Sequence, residues 1–405
     1  MAERDRRYVI IGNGAAGTTC AETLRKLDPN CEITLLTDEP YPLYNRVALP
    51  RYLKGIVREE KVFMRTREQH EQKGITLLTE AVAKSVDAEG HTVLLEDGRE
   101  LPYDALLVAA GGKPNRPSVP GGDHRAVFNF QTMDDTRAII DEATEGKHAV
   151  VLGGSFISYE LAEGFAMRGL HTTWLMRSKP FLRRTLDAEA GALVDVLASD
   201  HHVDIIYNEG AAEIVPRDGM IGRVVTTTGR EVLADVVGVG IGLTLSTGFL
   251  AGTGVEIRKG IVTDKYLRTN VPDIYAAGDI AEFYDVHIEK HNLMGTWDNA
   301  LSHGRVAAVN MAGGNEVYHE VPTYTSPLFS SNIAVMGVTL ENRPDLETVT
   351  RASLEDREYK KLFFLEDRLV GAVTIGRPRG RKRLLAMMLS GERISGPREA
   401  LLDAQ

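Results

Sequence analysis

The apolar pattern of the chain contains two copies of one unit, in which a short strand, a glycine-rich turn and a helix follow each other. In the first copy, the apolar run 8–11 leads into the turn 12–17 (GNGAAG), and a helical pattern continues to Leu27. In the second copy, the apolar run 148–152 precedes the turn 153–158 (GGSFIS). Short apolar runs of this kind are typical of buried parallel strands. The pattern therefore predicts an α/β fold in which this unit occurs twice.

The first turn has the spacing GxGxxG. In a strand–turn–helix context, Gly12 allows a tight turn, Gly14 lets the backbone approach a pyrophosphate, and Gly17 lets the helix pack closely on the strand. The next strand ends in Asp38 and Glu39, about 20 residues further on, where an acid is expected to bind a ribose hydroxyl. The sequence thus predicts a Rossmann-like dinucleotide-binding unit at the start of the chain.

The second turn departs from this spacing, because Ser155 and Ser158 occupy the second and third glycine positions. A serine Cβ crowds the approach to phosphate, although the Ser155 hydroxyl is itself able to donate a hydrogen bond to that phosphate. The following strand ends in Met176, where an NADH site should have an acid. A basic cluster that contains Arg177 and Arg183 comes next and favours a 2′-phosphate. We expect NADPH, with NADH as the alternative.

Composition and charge exclude several classes of protein. The 405 residues are enough for two or three domains, and 43% hydrophobic with 26% charged residues is a globular profile. A net charge of −10 argues against a general nucleic-acid binder. The two cysteines, Cys20 and Cys31, form no CxxC motif and no Cys/His cluster, so no metal site or disulfide scaffold is expected. Without a signal sequence or an apolar run of membrane-spanning length, a cytoplasmic protein is expected.

Two further segments resemble signatures of a known flavoprotein family. The segment 269–279 (TNVPDIYAAGD) matches the TxxxxhyAxGD pattern of flavoproteins with two dinucleotide folds. The segment 103–111 (YDALLVAAG) resembles the strand that returns from their FAD domain, with Ala110 in place of a threonine. The chain is therefore similar to the pyridine nucleotide–disulfide oxidoreductase superfamily along nearly its whole length. This resemblance implies FAD and NAD(P)H as cofactors. It also implies that Asp279 forms a hydrogen bond with the ribitol of FAD.

The segment 40–53 (PYPLYNRVALPRYL) resembles ferredoxin reductases, rubredoxin reductases, apoptosis-inducing factor and the FAD module of NADH-dependent nitrite reductases. In the coenzyme A–disulfide reductase pattern a redox cysteine falls on Val47, and valine forms no thiolate, so thiol chemistry is not expected. Arg51 takes the place of a lysine that pairs near the flavin N5 with a glutamate, which corresponds here to Glu160. The resemblance thus implies a catalytic Arg51–Glu160 pair; a surface arginine and an exposed helical glutamate are the alternative.

The resemblance also places a helix N-terminus on the flavin pyrimidine. The segment 292–301 opens a helical run to Met311, and Thr296 and Trp297 match flavin-contacting positions. A helix N-terminus stabilises an anion such as the reduced flavin by up to about 1–2 kcal/mol. A core tryptophan is the alternative for Trp297. Thr325 replaces a tryptophan of an aromatic pair that covers the flavin in the family.

The expected cofactor contacts divide between two nucleotides. For FAD they are Gly12, Gly14, Ala15, Ala16, Gly17, Asp38, Glu39, Arg46, Arg51, Ala83, Ala110, Gly111, Asp279, Thr296, Trp297 and Thr325. For NAD(P)H they are Gly153, Gly154, Ser155, Phe156, Ile157, Glu160, Arg177, Arg183 and Gly240.

We predict two Rossmann-like domains, the second inserted in the first, and a C-terminal α/β interface domain. The FAD-binding domain comprises 1–120 and 245–314, the NAD(P)-binding domain 121–244, and the interface domain 315–405. The resemblance implies transfer of electrons from NAD(P)H through FAD to a redox protein such as ferredoxin or rubredoxin. Direct reduction of small acceptors such as quinones, and a flavin-binding interaction protein with weak turnover, remain alternatives.

A cluster of cations near the C-terminus is a candidate docking site for an acidic redox protein, since opposite charge accelerates association. We call it the basic patch; its members are Arg377, Arg379, Arg381, Lys382 and Arg383. Solvated loop arginines are the alternative interpretation. The oligomeric state stays open, with a homodimer as one option.

Overall fold

The structure is a computed structural model that describes residues 5–377 and 379–403. The α-helices are α1 Ala15–Leu27, α2 Leu49–Leu53, α3 Arg67–Gln72, α4 Met133–Glu142, α5 Phe156–Met167, α6 Ala188–Asp200, α7 Trp297–Met311 and α8 Arg381–Ser390. The first thirteen strands are β1 Arg7–Ile11, β2 Glu32–Leu36, β3 Ile75–Leu78, β4 Ala83–Asp87, β5 Thr92–Leu95, β6 Glu100–Pro102, β7 Ala105–Val108, β8 Gly112–Pro114, β9 Val127–Asn129, β10 His148–Leu152, β11 His171–Met176, β12 Val203–Tyr207 and β13 Ala211–Arg217. The others are β14 Met220–Thr226, β15 Glu231–Leu233, β16 Val236–Val239, β17 Leu243–Leu245, β18 Ile261–Thr263, β19 Ile274–Ala276, β20 Ala281–Asp285, β21 Lys290–Asn292, β22 Thr323–Leu328, β23 Ser331–Gly337, β24 Glu347–Ser353, β25 Glu358–Leu365 and β26 Arg368–Ile375.

The chain divides into two compact units. Unit 1 comprises the described residues up to 45, together with 63–113 and 245–324. Unit 2 comprises 46–62, 114–244 and the described residues from 325 onward. This division differs from the three predicted domains in two ways. Most of the predicted interface domain, from 325 onward, groups with the predicted NAD(P)-binding domain. The segment 46–62 also groups with unit 2, because α2 packs on α4 and α5.

Unit 1 is built on a five-stranded parallel sheet with the order β19-β7-β1-β2-β3. The predicted strand 8–11 is the central strand β1, and Ile11 pairs with Leu36 on one side and with Val108 on the other. Buried apolar side chains cover both faces of this sheet. Burial on both faces explains why the strands are short, continuous apolar runs.

Unit 2 repeats this arrangement in a second parallel sheet with the order β12-β11-β10-β16-β9. Its central strand β10 is the apolar run of the second predicted copy, and the fold class is therefore confirmed. A further sheet, β22-β23-β26-β25-β24, lies in the segment predicted to form the α/β interface domain, and α8 follows it.

The structure corrects some element boundaries. The segment 292–301, predicted to open the long helix, begins at Asn292, the last residue of β21, and α7 begins only at Trp297. Two small antiparallel sheets, β4-β5-β6 and β13-β14-β15, were not predicted, because their strands are short hairpins with mixed polar and apolar positions. Within 5–377 and 379–403, the helices are all too short or too polar to cross a membrane.

Candidate functional site

The first glycine-rich turn contains two glycines that the protein itself requires and one that it does not. Gly12 has a φ of +113°, and a Cβ there would collide with the carbonyl oxygen of Ala109. A Cβ at Gly17 would collide with the carbonyl oxygen of Gly12, so α1 could not pack so closely on β1. A Cβ at Gly14 would meet no atom within 4 Å. The third position therefore needs glycine for packing, whereas Gly14 leaves open space at the N-terminus of α1, where backbone could approach a pyrophosphate.

The acids after β2 differ in their surroundings. Asp38 is exposed, while the carboxylate of Glu39 accepts a hydrogen bond of 2.7 Å from the Tyr44 hydroxyl. Tyr44 is buried and packs edge-to-face against Phe63. Tyr44 therefore orients the predicted ribose-binding acid, a role that the sequence analysis missed although the tyrosine lies in the segment 40–53 that it singled out.

The turn after β19 carries Asp279, the predicted ribitol contact. The preceding residue, Gly278, has a φ of +77° and donates its backbone N–H to Nδ1 of His303 at 3.2 Å. A Cβ at Gly295 would lie 3.0 Å from the Asp279 carboxylate, so glycine leaves room around that group. Asp279 itself is half-buried.

Helix α7 begins next to this turn. Thr296 is its N-cap, and its hydroxyl accepts a hydrogen bond of 3.3 Å from the backbone N–H of Asn299. Trp297 is partly buried against the core of unit 1. A Cβ at Gly304 would collide with the carbonyl oxygen of Ala16, so α7 packs directly on α1. The fold therefore packs α1, which follows the first turn, against α7, whose N-terminus is predicted to face the flavin.

The other predicted FAD contacts lie in both units. In unit 1, Ala83 begins β4, and Ala110 and Gly111 follow β7, with Gly111 at a φ of +58°. In unit 2, Arg46 donates to the carbonyl oxygen of Gln131 at 2.7 Å. Thr325, also in unit 2, is exposed and accepts a hydrogen bond from the guanidinium of Arg381.

The residues of unit 1 fit FAD. Their open glycine position, acidic residue after the second strand, half-buried Asp279 and threonine-capped helix supply a pyrophosphate cradle, two hydrogen-bond acceptors for hydroxyl groups and a helix dipole. No cluster of His, Cys, Asp and Glu side chains in the described ranges could hold a metal ion.

In the second turn, the serines form hydrogen bonds within the protein itself. Gly153 has a φ of +120°, and a Cβ there would collide with the carbonyl oxygen of Gly240. The Ser155 hydroxyl donates to that same carbonyl oxygen at 2.8 Å, and the Ser155 backbone N–H donates to the hydroxyl of Ser158 at 2.8 Å. The bond between Ser155 and Ser158 has a reciprocal partner, since the Ser158 backbone N–H donates to the Ser155 hydroxyl at 3.4 Å. These two bonds form a capping box at the start of α5, where Phe156 and Ile157 are the first helical residues. The Ser155 hydroxyl therefore bonds to protein, not to a position open for phosphate as the sequence allowed.

The predicted adenosine end of this site is basic and exposed. Met176 is buried, and its sulfur would lie 3.5 Å from a Cβ at Gly154. Arg177 and Arg183 are exposed, and neither guanidinium makes a hydrogen bond or ion pair to any residue that the structure describes. An acid that the sequence analysis missed lies beside them: Glu209 donates its backbone N–H to the Met176 carbonyl oxygen at 3.2 Å.

Glu209 has its own partners. Its carboxylate accepts a hydrogen bond of 2.8 Å from the Thr228 hydroxyl and lies 3.2 Å from Arg230. Hydrogen bonds from Thr226 and Thr228 hold the pKa of the Glu209 carboxyl below its usual value. The Glu209 carboxylate is therefore charged and already paired. Arg177 has no charged partner among the described residues.

No hydrogen bond or ion pair joins Arg51 to Glu160 among the described residues, so the catalytic pair stays a prediction. Arg51 is exposed, and its guanidinium makes no hydrogen bond or ion pair within the described ranges. Glu160 is buried on α5 and accepts a hydrogen bond of 3.4 Å from the Ser326 hydroxyl. The ion pair that joins α2 to α5 is Lys54–Glu163, at 2.5 Å, with side chains only 5% and 6% exposed. Each partner lies three residues after the predicted one, so the helix period could have indicated this second pairing.

Both thiols are buried, and neither is suited to redox chemistry. Cys20 is fully buried on α1, with its sulfur 3.7 Å from that of Met311, and Cys31 is buried before β2. Burial raises the pKa of both thiols, that of Cys31 to about 11. Neither is therefore a thiolate at neutral pH. Val47, at the cysteine position of the disulfide-reducing pattern, is 51% exposed.

A flavin without a redox disulfide should accept two electrons, not four. We expect an anaerobic dithionite titration to end at two electrons per FAD, because neither buried thiol is reactive. The Cys20→Ser, Cys31→Ser double variant should keep its rate of flavin reduction once folding is verified by circular dichroism. Uptake of four electrons, or loss of that rate in a folded double variant, would contradict this assignment.

Two five-stranded parallel sheets, each with a glycine turn between its central strand and a helix, define a protein with two dinucleotide-binding folds. The chain belongs to the pyridine nucleotide-disulphide oxidoreductase family, whose model matches residues 6–304. FAD and a nicotinamide nucleotide are the cofactors of this family.

Relatives of known name match almost the whole chain. The assimilatory nitrate reductase electron transfer subunit of Bacillus subtilis is 25% identical over 99% of this chain, and rhodocoxin reductase of Rhodococcus erythropolis is 28% identical over 92%. The chain spans 86% of rhodocoxin reductase but only 52% of the Bacillus subunit, about half of its length. The structure of a ferredoxin reductase from Rhodopseudomonas palustris superposes with a TM-score of 0.85, at 25% identity, over 92% of this chain and 91% of that one.

Proposed function

We propose that the protein is an FAD-dependent NAD(P)H oxidoreductase that passes electrons to a ferredoxin-type redox protein. One observation carries the proposal: the two cysteines of the chain are buried, and Val47 stands where thiol-dependent relatives have a redox cysteine. Electrons therefore have no thiol acceptor within the chain. Relatives named rhodocoxin reductase and ferredoxin reductase support an external protein acceptor.

FAD, held by the residues of unit 1, would supply a carrier able to take up two electrons as a hydride and to give them up one at a time. One NAD(P)H would thus reduce two one-electron carriers and yield NAD(P)+ and one proton. Asp279 would bind the ribitol, and the N-terminus of α7 at Thr296 would stabilise negative charge on the ring. We propose that Glu160, which Ser326 orients, borders the hydride position; Glu160→Gln should then slow flavin reduction by both nucleotides.

The basic patch is the proposed docking surface. Arg381, Lys382 and Arg383 form the first turn of α8, where the helix dipole disfavours cations by about 0.3–1 kcal/mol each. An acidic partner would relieve that repulsion. Arg381 is half-buried, its Nε has no hydrogen-bond partner among the described residues, and burial lowers the pKa of its guanidinium. Because Arg381 also bonds to Thr325, the patch is continuous with a position predicted to cover the flavin.

Anaerobic stopped-flow spectroscopy tests this function. Flavin reduction by NADH and NADPH would be measured first, and reoxidation by an acidic ferredoxin second, at several salt concentrations. We expect fast reduction and a reoxidation rate that falls with salt and in a Lys382→Glu, Arg383→Glu variant. Reoxidation by a quinone that is equally fast in both proteins would favour a direct reductase of small acceptors, and no reduction by either nucleotide would favour an interaction protein.

We also propose that NADPH is the preferred nucleotide. Arg177→Glu should weaken NADPH binding about tenfold to a hundredfold, because it replaces a charge-assisted bond to the 2′-phosphate with repulsion. NADH binding should stay unchanged or improve. Arg217→Glu is the matched control, since Arg217 is an exposed arginine on β13 of the same unit. Equal changes in the apparent affinity for both nucleotides would show that Arg177 does not contact the phosphate.

We propose a reducing compartment, the cytoplasm, because Cys20 and Cys31 are both free thiols.

A further inference from the structure

His303 is a fully buried histidine in the middle of α7. Its exposed fraction is 0%, and its Nδ1 accepts the backbone N–H of Gly278 at 3.2 Å. Gly278 immediately precedes Asp279, and its φ of +77° sets the direction in which the chain enters that residue. A side chain of α7 therefore fixes the backbone turn that presents the predicted ribitol ligand.

The surroundings of this imidazole are aromatic. The rings of Phe283 and Tyr318 pack edge-on against it, with centroids at 4.8 Å and 4.4 Å. Burial lowers the pKa of His303 to about 3, so the ring is neutral near neutral pH. Because Nδ1 accepts a hydrogen bond, the proton resides on Nε2, which has no hydrogen-bond partner among the described residues. An aliphatic side chain would avoid the unpaired Nε2 but would leave the Gly278 N–H without its acceptor, so the imidazole serves the bond to Gly278 and not packing alone.

A second set of bonds leads from the same cluster to the start of α7. The Tyr318 hydroxyl donates to Oδ1 of Asn299 at 2.5 Å. The side-chain amide of Asn299 donates to the Met294 carbonyl oxygen at 2.8 Å, and its backbone N–H donates to the Thr296 hydroxyl at 3.3 Å. The ring that contacts His303 is thus bonded to the residues that shape the N-terminus of α7.

We propose that His303 is a positioning residue for the flavin, which holds the Gly278 turn and the N-terminus of α7 in one fixed arrangement. The inference rests on the FAD-binding part of the proposed function. By its bond to Gly278, the imidazole positions Asp279 to bind the ribitol. By its contact with Tyr318, which bonds to Asn299, it stabilises the N-terminus of α7, which is predicted to face the flavin ring. Both flavin affinity and the flavin midpoint potential therefore depend on a residue that does not itself touch the cofactor.

Three substitutions separate the parts of this arrangement. His303→Leu fills the space and removes the acceptor for Gly278, His303→Gln restores an acceptor on an amide oxygen, and Tyr318→Phe removes only the bond to Asn299. The matched control is His70→Leu. His70, on α3, is also buried in unit 1 with an Nε2 that has no partner among the described residues, but its Nδ1 bonds to the carbonyl oxygen of Thr66, the N-cap of α3.

Each variant would be measured for the dissociation constant of FAD by fluorescence quenching, for the midpoint potential against a reference dye, and for apoprotein stability. His303→Leu should raise the dissociation constant about tenfold, the loss expected from one buried hydrogen bond. Its midpoint potential should become about 30 mV more negative, which is a tenfold weaker preference for the reduced flavin in a two-electron couple. The sign follows because the N-terminus of α7 stabilises the negative charge of the reduced form more than the oxidised form.

Controls decide between positioning and simple loss of stability. His303→Gln should recover most of the affinity and potential, Tyr318→Phe should shift the potential in the same direction, and His70→Leu should lower stability without moving the potential. Should His303→Leu fail to fold, Tyr318→Phe decides: an unchanged potential in that variant overturns the proposal. A potential shift in His70→Leu equal to that of His303→Leu overturns it as well. None of these measurements depends on turnover. If the potential shifts as expected in His303→Leu but the native protein does not reduce ferredoxin, the proposed function is contradicted and the role of His303 is not.

Discussion

Gly14→Ala is expected to abolish most of the affinity for FAD while leaving the apoprotein folded. A Cβ at this position would meet no protein atom within 4 Å, and the backbone φ is −77°, which alanine adopts without strain. The expected loss of apoprotein stability is below about 1 kcal/mol, the difference between glycine and alanine at a helix N-cap. The same Cβ would stand where the backbone should approach the pyrophosphate, and such overpacking costs about 1–3 kcal/mol, or about tenfold to a hundredfold in affinity.

Equilibrium titration of apoprotein with FAD and thermal unfolding of the apoprotein would measure the two effects separately. Gly248→Ala is the control, since a Cβ at Gly248 of unit 1 also meets nothing within 4 Å. Gly12→Ala should behave in the opposite way and destabilise the apoprotein itself, because its Cβ collides with Ala109 and its φ is left-handed. Unchanged FAD affinity in Gly14→Ala would mean that the pyrophosphate does not approach this turn.

Lys54→Met is expected to destabilise unit 2 by about 3–5 kcal/mol, because it leaves the carboxylate of Glu163 buried without a counter-charge. The pair is almost fully buried and joins α2 to α5 across 109 residues of sequence. A Lys54→Met, Glu163→Leu double variant should recover most of that loss, since apolar replacement of a buried pair is often neutral or stabilising.

Urea unfolding followed by circular dichroism would measure this difference. Arg184→Met is the control, because the Arg184–Glu341 pair is exposed on both sides and should contribute at most about 1 kcal/mol. If Lys54→Met cost no more than the control, the buried geometry of the pair would not be the source of stability in α2.

The sequence alone predicts flavin chemistry that involves no thiol. The substitution of a redox cysteine by Val47 is visible in the segment that resembles ferredoxin reductases, and the structure adds that Cys20 and Cys31 are buried. The family and the fold class predicted from the glycine turns and from the segment 269–279 are confirmed. The choice of NADPH and the docking role of the basic patch stay predictions.

The sequence by itself determined the two nucleotide-binding units, because a strand, a turn and a helix are specified by residues within about 30 positions of each other. Gly17 is explained by its neighbour in the motif, the carbonyl oxygen of Gly12, whereas the collision at Gly12 is with Ala109 after β7. The tertiary structure decided the pairings between distant segments. His303 and Gly278 meet only because α7 packs beside β19, and Ser326 reaches Glu160 across 166 residues.

The Arg51–Glu160 pair marks the limit of the sequence argument. Both residues were identified by motif position, which fixes the residue along the chain but not the face of the helix that it occupies. In the fold α2 turns Lys54 toward α5 and Arg51 toward solvent, so the buried ion pair forms one helical turn further along. The helix period offers the pairing three residues further on as a second option. Only the way the two helices pack decides which pair is buried, and the whole core around them sets that packing.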